Sequence, residues 1–191
     1  QSRVTLSDGN TMPLFGLGVW AANPGQETQD AVSCALEVGY RHIDTASMYG
    51  NEQDVGSALN ACGVPRNEIF VTTKVWETEQ GYEPTLRAFE QSQQKLGLEF
   101  VDLYLIHWPV EGQRVDTWQA LERLQNEGRV KSIGVSNFSP NHLQEIFESG
   151  KQRPTVNQIE LSPFLQQRTI ADFTRSAGIP LTAYCPLASG E

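Results

Sequence analysis

The sequence is poor in cysteine and in positive charge. The three cysteines, Cys34, Cys62 and Cys185, are scattered and show neither a disulfide framework nor a metal-ligand spacing. We therefore expect reduced thiols in an intracellular protein, with no metal site. The 14 Lys and Arg residues are outnumbered by 23 Asp and Glu residues, which leaves a net charge of −9. This balance excludes the basic face that nucleic acid or an anionic membrane surface requires.

Long hydrophobic runs are also missing. No apolar run reaches the roughly 18 residues of a membrane-spanning helix. The first residues, Gln1 to Val4, lack the apolar core of a signal peptide, so we expect a cytoplasmic protein. The chain of 191 residues is 39% hydrophobic, which is enough for a sizeable core and predicts one domain over residues 1–191.

What the sequence does have is a regular alternation of strand and helix patterns. A short hairpin closed by Asp8-Gly9 is predicted first. Apolar strand-like runs then begin near Leu14, Tyr40, Ile69, Val101, Val130, Thr155 and Pro180, with segments of helical periodicity between them. This order is typical of a parallel sheet with right-handed crossovers. A doubly wound open sheet and a (β/α)8 TIM barrel both fit. The near-regular repeat favours the barrel, although only seven of its eight units can be counted.

Three familiar patterns do not indicate a functional site here. Residues 16–21 match the dinucleotide fingerprint G-x-G-x-x-G/A, but a turn follows them where that motif needs a helix. Gly134 to Phe138 begins like a nucleophile elbow and has Phe where that motif needs Gly. We interpret His42, within a strand, and His142, on a helix, as structural residues.

Polar and ionisable residues recur at one place in the repeat, the carboxyl end of the strand. Each could be an ordinary solvated or hydrogen-bonded residue, but one in nearly every unit is hard to dismiss. In a barrel these positions converge on one rim, where barrel active sites lie. The residues are Asp44, Tyr49 in the loop that follows it, Lys74, His107, Ser136, Asn137, Gln158 and Tyr184.

Tyr, Lys, Asp and His together indicate proton transfer by a phenol. A free tyrosine, with a pKa near 10, is a weak acid, and a nearby ammonium group lowers that pKa by stabilising the phenolate. Such a group could protonate an oxygen as hydride arrives at the attached carbon. Trp20, Trp76 and Trp108 follow three of the strands and would wall a pocket suited to a carbonyl substrate. Ordinary packing under loops remains the alternative for each tryptophan.

Several longer motifs carry a family resemblance. Residues 39–46 read GYRHIDTA and residues 49–52 read YGNE, followed by LIHWP at 105–109, IGVSNF at 133–138 and Asn157-Gln158. In this order and over essentially the whole chain, they resemble the aldo-keto reductases. The resemblance implies a (β/α)8 barrel that reduces aldehydes or ketones with NADPH, without metal or flavin.

The resemblance also implies a role for each matching residue. Tyr49 would be the general acid, Lys74 and Asp44 would tune its pKa, and His107 would orient the carbonyl oxygen. Cys185 stands where the family usually has serine in the loop around the pyrophosphate. The implied cofactor-binding residues are Gly18, Asp44, Ser136, Asn137, Gln158, Tyr184, Leu187 and Ser189, and the implied substrate-binding residues are Trp20, Tyr49, Trp76, His107 and Trp108.

The end of the sequence departs from the family pattern. The family's basic residues for the 2′-phosphate of NADPH follow the eighth strand, whereas the last basic residue here is Arg175. The choice of NADPH over NADH therefore rests on the resemblance alone. We expect a barrel truncated after its seventh strand, without the last β/α unit and the C-terminal loop, and a longer protein as made. We also expect a monomer with a small-molecule carbonyl substrate. A non-catalytic nucleotide-binding or regulatory protein and an inactive fragment of a reductase remain the alternatives.

Overall fold

A computed structural model describes residues 2–190 of the chain, apart from the side chain of Ser189. It begins with a two-stranded antiparallel hairpin, β1 (Arg3–Thr5) and β2 (Thr11–Pro13), in which Val4 lies opposite Met12. Gly9 in the turn has a φ of 88°, a left-handed conformation that glycine adopts without strain. The hairpin predicted at Asp8-Gly9 is confirmed.

Seven further strands alternate with six helices, as the repeat in the sequence predicts. The strands are β3 (Leu17–Gly18), β4 (His42–Asp44), β5 (Phe70–Val75), β6 (Val101–Ile106), β7 (Val130–Ser136), β8 (Asn157–Glu160) and β9 (Leu181–Tyr184). The helices are α1 (Gln26–Glu37), α2 (Glu52–Ala61), α3 (Tyr82–Leu96), α4 (Arg114–Asn126), α5 (Pro140–Ser149) and α6 (Arg168–Ser176). Within residues 2–190, no helix is long and apolar enough to cross a bilayer.

The strand order decides between the two predicted architectures. β3 to β9 form one parallel sheet in which every strand pairs with its neighbours in sequence, whereas a doubly wound sheet would reverse its order. The sheet is also strongly curved. Gln158 on β8 donates a hydrogen bond of 2.7 Å to Asp44 on β4, although four strand spacings in a flat sheet amount to about 19 Å. Sequential order and curvature together are those of a (β/α) barrel wall.

Two apolar layers hold this wall in place. The larger lies between the sheet and the helices, and the smaller fills the barrel interior with Leu6, Met12, Phe70, Leu103, Leu105 and Val156. Leu6 and Met12 come from the hairpin, whose Asp8 accepts a hydrogen bond of 2.7 Å from Ser132 near the start of β7. The hairpin therefore covers the amino ends of the strands. The carboxyl ends of the strands are not covered by the hairpin, so a functional site can form there.

β5, in the middle of the sheet, has the burial pattern of a central parallel strand. All six residues of β5 are buried, since both faces of a parallel sheet are covered. Its side chains alternate, so that Thr73 faces the helices and Lys74 faces the barrel interior. A charged side chain buried inside the barrel needs a partner, and the site supplies it.

Candidate active site

The carboxyl ends of the strands bring the predicted residues to one end of the barrel. Asp44 and Ser136 are the last residues of β4 and β7, and His107 follows β6 directly. Tyr49 ends a 3-10 turn, Ser47–Tyr49, in the loop between β4 and α2. The structure therefore gathers residues that are far apart in the sequence, as the barrel interpretation requires.

Lys74 is the centre of this cluster. Its side chain is fully buried, and its ammonium group forms an ion pair with Asp44 Oδ1. It also donates hydrogen bonds to the carbonyl oxygen of Thr45 at 2.9 Å and to the Tyr49 hydroxyl at 3.3 Å. Burial alone would lower the pKa of Lys74, but Asp44 and then Tyr49 outweigh it, and the pKa is raised. Lys74 is therefore a permanent cation next to the phenol.

The Tyr49 phenol corrects one expectation from the sequence. Burial raises its pKa, and this effect exceeds the lowering by the Lys74 ammonium group. The ammonium group therefore acts in the expected direction without setting the net shift. The phenol is held in its protonated form, which is the form that a proton donor needs.

His107 lies against both Tyr49 and Trp76. Its ring meets theirs edge to face, with centroid distances of 5.6 Å and 5.1 Å. Burial, together with the nearby Lys74 ammonium group, lowers the pKa of His107 to about 3. The imidazole is therefore neutral over the physiological range, and one of its nitrogens can donate a hydrogen bond.

The residues that the resemblance assigns to the nicotinamide form one hydrogen-bonded network beside this cluster. The Ser136 hydroxyl donates to the Gln158 carbonyl oxygen at 2.8 Å, and the Tyr184 hydroxyl donates to Asn137 Oδ1 at 2.9 Å. Asn137 Nδ2 donates to the His107 carbonyl oxygen at 3.0 Å. Asn137 has a φ of 64°, a left-handed conformation that asparagine tolerates better than most residues. The network thereby connects the carboxyl ends of β6, β7, β8 and β9 with the cluster.

The other predicted cofactor residues are Gly18, Leu187 and Ser189. Gly18 on β3 pairs with Asp44, and a Cβ atom placed there would meet no atom within 4 Å. Leu187, beyond β9, has 80% of its side chain exposed. The Ser189 side chain lies outside the described residues, so its predicted role stays a prediction.

Large apolar side chains follow the strands at the end of the barrel that bears the site. Trp20 is 62% exposed and Trp108 is 40% exposed, whereas Trp76 is partly covered by its contact with His107. Met48, next to Tyr49, is 44% exposed at the same end. Sequence analysis did not select Met48.

Sequence analysis also missed a buried polar layer behind the cluster. Asn51 is fully buried, and its side chain donates to the Val19 carbonyl oxygen at 2.9 Å. Glu52, 1% exposed, accepts a hydrogen bond of 2.7 Å from Thr73. Both residues belong to the motif YGNE, which was used only as a mark of resemblance.

The patterns set aside on sequence grounds have structural explanations. α1 begins at Gln26, and Ala21 has a φ of 65°, so no helix starts at the glycine-rich stretch. His42 lies 2.9 Å from the Thr72 hydroxyl in the barrel interior. His142 completes a capping box with Ser139 at the start of α5. These contacts agree with the structural interpretation of both histidines, which stays a prediction.

Comparison with known proteins identifies the family. The sequence profile described as the Aldo/keto reductase family matches residues 14–191. The chain is 57% identical over 188 residues to the 9,11-endoperoxide prostaglandin H2 reductase of Trypanosoma cruzi, covering 98% of this chain and 66% of that protein. The chain belongs to the aldo/keto reductase family.

Other members of the aldo/keto reductase family agree in sequence and fold. The glyoxal reductase of Bacillus subtilis is 47% identical, covering 98% of this chain and 68% of that protein. An aldo/keto reductase from Brucella melitensis superposes with a TM-score of 0.95 at 49% identity, covering 98% of this chain and 73% of that one. The Bombyx mori aldo-keto reductase in complex with NADP has a TM-score of 0.89 at 35% identity. The match covers 96% of this chain and 66% of that one.

The fold is therefore that of the aldo/keto reductase barrel, with seven of its strands among residues 2–190. The chain spans about two thirds of the length of the curated relatives it matches. Family membership makes it an aldo/keto reductase sequence. The roles of its individual residues rest on the geometry above.

Proposed function

We propose that this protein reduces aldehydes or ketones to alcohols with NADPH, using Tyr49 as the general acid. The observation that carries the proposal is the buried cluster in which Lys74 contacts both Asp44 and the Tyr49 hydroxyl. A binding protein has no need of a buried cation beside a protonated phenol and a neutral imidazole. The alternative of a non-catalytic nucleotide-binding protein is therefore the weaker one.

Each residue of the cluster has a distinct task in this proposal. Tyr49 gives its proton to the carbonyl oxygen, and Lys74 stabilises the phenolate that remains. Asp44 balances the charge of Lys74, which would be costly to bury alone. His107, neutral at physiological pH, donates a hydrogen bond to the same oxygen and fixes its direction. Trp20, Met48 and Trp108 exclude water from the apolar part of the substrate.

The chain's own residues fit a nicotinamide cofactor. Ser136, Asn137 and Gln158 offer amide and hydroxyl groups suited to a carboxamide, and the half-buried Tyr184 ring offers an aromatic face. Gly18 leaves open space where a larger residue would project. NADPH supplies the hydride when it is bound. The loop that contains Leu187 and Ser189 would contact its pyrophosphate.

Small, uncharged aldehydes are the proposed substrate class. One relative is named a glyoxal reductase. Exposed tryptophan and methionine side chains in the loops at this end of the barrel would suit uncharged carbonyl compounds. We further propose a cytoplasmic monomer. Its three free thiols suit a reducing compartment, and light scattering would measure its mass in solution.

One experiment tests the proposed reaction. NADPH consumption is followed with glyoxal and with an aromatic aldehyde, beside a titration of NADPH binding by fluorescence. Turnover of either aldehyde, with alcohol as the product, is the expected result. Binding without turnover would favour the non-catalytic nucleotide-binding protein. Absence of both would favour an inactive chain.

A further inference from the structure

We propose that the buried pair Glu52 and Thr73 positions the proton donor, by fixing the loop that carries Tyr49 against the strand that carries Lys74. Neither residue touches the proposed reacting atoms, so both are positioning residues. This inference rests on the proposed function for its consequence in turnover. Its structural core, the fixed separation of Tyr49 and Lys74, can be measured without turnover.

The proposed proton donor, Tyr49, and the cation beside it, Lys74, lie on different elements. Lys74 is held rigidly within β5, whose six residues are all buried. Tyr49 lies in the loop between β4 and α2, within a single 3-10 turn. Their contact, Lys74 Nζ to Tyr49 Oη, is 3.3 Å long. A hydrogen bond of this length is near the upper limit, so a small shift of the loop would break it.

The carboxyl end of the Tyr49 loop is anchored to β5 through Glu52. Glu52 follows Tyr49 by three residues and begins α2. Its Oε1 accepts a hydrogen bond of 2.7 Å from Thr73, the residue directly before Lys74. Because strand side chains alternate, Thr73 is held from the helix side while Lys74 projects into the barrel. The pair therefore ties the start of α2, directly after the loop, to the Thr73 side chain on β5, next to Lys74.

Thr45, at the start of the loop, is bonded to β5 through its own backbone and through the Lys74 ammonium group. Asn51, near the end of the loop, is bonded to other elements. Its side chain accepts from the Thr45 hydroxyl at 2.9 Å and donates to Val19 at 2.9 Å. These contacts connect the two ends of the loop with each other and with the residue after β3. They do not reach β5. The hydrogen bond from Thr73 to Glu52 links α2 to β5, the strand that carries Lys74.

A buried carboxyl group is a costly way to fill this space. Glu52 is 1% exposed and Thr73 is fully buried. Burial raises the pKa of Glu52, an effect that the hydrogen bond from Thr73 opposes. The only cation within 4 Å of the carboxyl group among the described residues is Lys95, with its ammonium nitrogen 3.9 Å from Oε2. An apolar pair would pack here at lower cost, but it would not fix a direction.

Substitutions at Thr73 test the inference. In the full-length protein, Thr73→Val removes the hydroxyl at constant volume, and Thr73→Ser keeps it. We expect Thr73→Val to lower kcat about tenfold or more, since small displacements at a reacting centre are costly. KM and the Kd for NADPH should change less than about twofold, because the pocket and the network around Ser136 are untouched. Thr73→Ser should recover most of kcat.

Glu52→Gln and Glu52→Leu form the matching pair of substitutions at the acceptor of the same hydrogen bond. The amide oxygen of Gln can still accept from Thr73, so Glu52→Gln should retain kcat, and Glu52→Leu should not. Thr174→Val is the control, since Thr174 is a fully buried threonine on α6, far from this loop. It should lower the melting temperature without changing kcat.

The pKa of Tyr49 gives a readout that needs no turnover. The groups that face its phenol are Lys74 on β5, Asp44 on β4, His107 after β6, and Tyr184 and Cys185 at the end of β9. Losing contact with the Lys74 ammonium group should raise the pKa of Tyr49 further. Ultraviolet pH titration, with Tyr49→Phe subtracted, should therefore show a higher value in Thr73→Val than in Thr73→Ser.

The outcomes separate this inference from the proposed function. A raised Tyr49 pKa in Thr73→Val, in a protein that reduces no aldehyde, supports the positioning pair and refutes the function. Wild-type turnover with the same kcat and the same Tyr49 pKa in Thr73→Val and Thr73→Ser overturns the positioning pair. A lower melting temperature alone in Thr73→Val likewise assigns the pair a purely structural role.

Discussion

Gln158 donates a hydrogen bond of 2.7 Å to the carboxylate of Asp44, although the two residues are 114 positions apart in sequence. Asp44 thereby has a partner on each oxygen, since Lys74 holds the other one. The resemblance assigns Gln158 to the nicotinamide carboxamide, and its amide nitrogen has this second task as well. The carboxylate that balances the Lys74 charge is thus fixed from both sides of the barrel.

Replacing Gln158 with glutamate should disturb this arrangement in a pH-dependent way. Gln158→Glu puts a second carboxylate against Asp44, and two like charges at this distance favour sharing one proton. We expect kcat to fall about tenfold or more at pH 8 and to recover partly near pH 5. Gln158→Met removes the donor without adding charge, so its loss should not depend on pH. Parallel pH profiles for the two variants would argue against this relationship.

Tyr49→Phe should abolish most of the turnover while leaving the fold intact. General acid catalysis contributes about 10²–10⁴-fold, and phenylalanine keeps the ring contact with His107 but has no proton to give. The Kd for NADPH should stay close to that of the wild type. Tyr40→Phe is the control for losing a phenol hydroxyl, since Tyr40 lies just before the start of β4 and Tyr49 lies beyond its end. Near-wild-type reduction by Tyr49→Phe would remove Tyr49 from the role of acid.

His107 should contribute to catalysis through a hydrogen bond rather than through charge. His107→Gln retains a neutral donor, so it should keep more of kcat than His107→Ala, with the aldehyde concentration well above KM. The ring contact with Trp76 is lost in both variants, which makes them a matched pair. Equal activity of the two would show that His107 is a structural residue.

His107 should also make stability depend on pH. Its folded-state pKa of about 3 lies below its ordinary value of 6.5, so the unfolded chain binds more protons between these values. The free energy of unfolding should therefore fall as the pH drops from about 6.5 towards 3. In urea unfolding, His107→Gln should show a weaker dependence, by up to about 1.4 kcal/mol per pH unit. Identical slopes would mean that His107 is not held neutral.

Tyr184 should bind the cofactor through its ring and position Asn137 through its hydroxyl. Tyr184→Phe keeps the ring, loses the hydrogen bond of 2.9 Å to Asn137 and should bind NADPH nearly as well as the wild type. Tyr184→Ala removes the aromatic face and should weaken binding by about 1 kcal/mol. Fluorescence titration with NADPH measures both. A greater loss in Tyr184→Phe than in Tyr184→Ala would contradict the stacking role.

The sequence by itself determined the alternation of elements and the end of the barrel that bears the site. Alternating apolar patterns ended by glycine predicted all seven parallel strands and the six helices between them. Strand polarity then indicated that Asp44, Lys74 and His107 would meet, since the carboxyl ends of parallel strands converge. These conclusions need only local periodicity and chain direction, both of which the order of residues contains.

Only the tertiary structure decided how the gathered groups act on one another. The bond from Gln158 to Asp44 depends on the curvature of the sheet, and the bond from Thr73 to Glu52 depends on how α2 packs against β5. The raised pKa of Tyr49 depends on how much water its neighbours exclude. Distance and burial are set by packing between segments remote in sequence, and the energy of a charge or a proton depends on both.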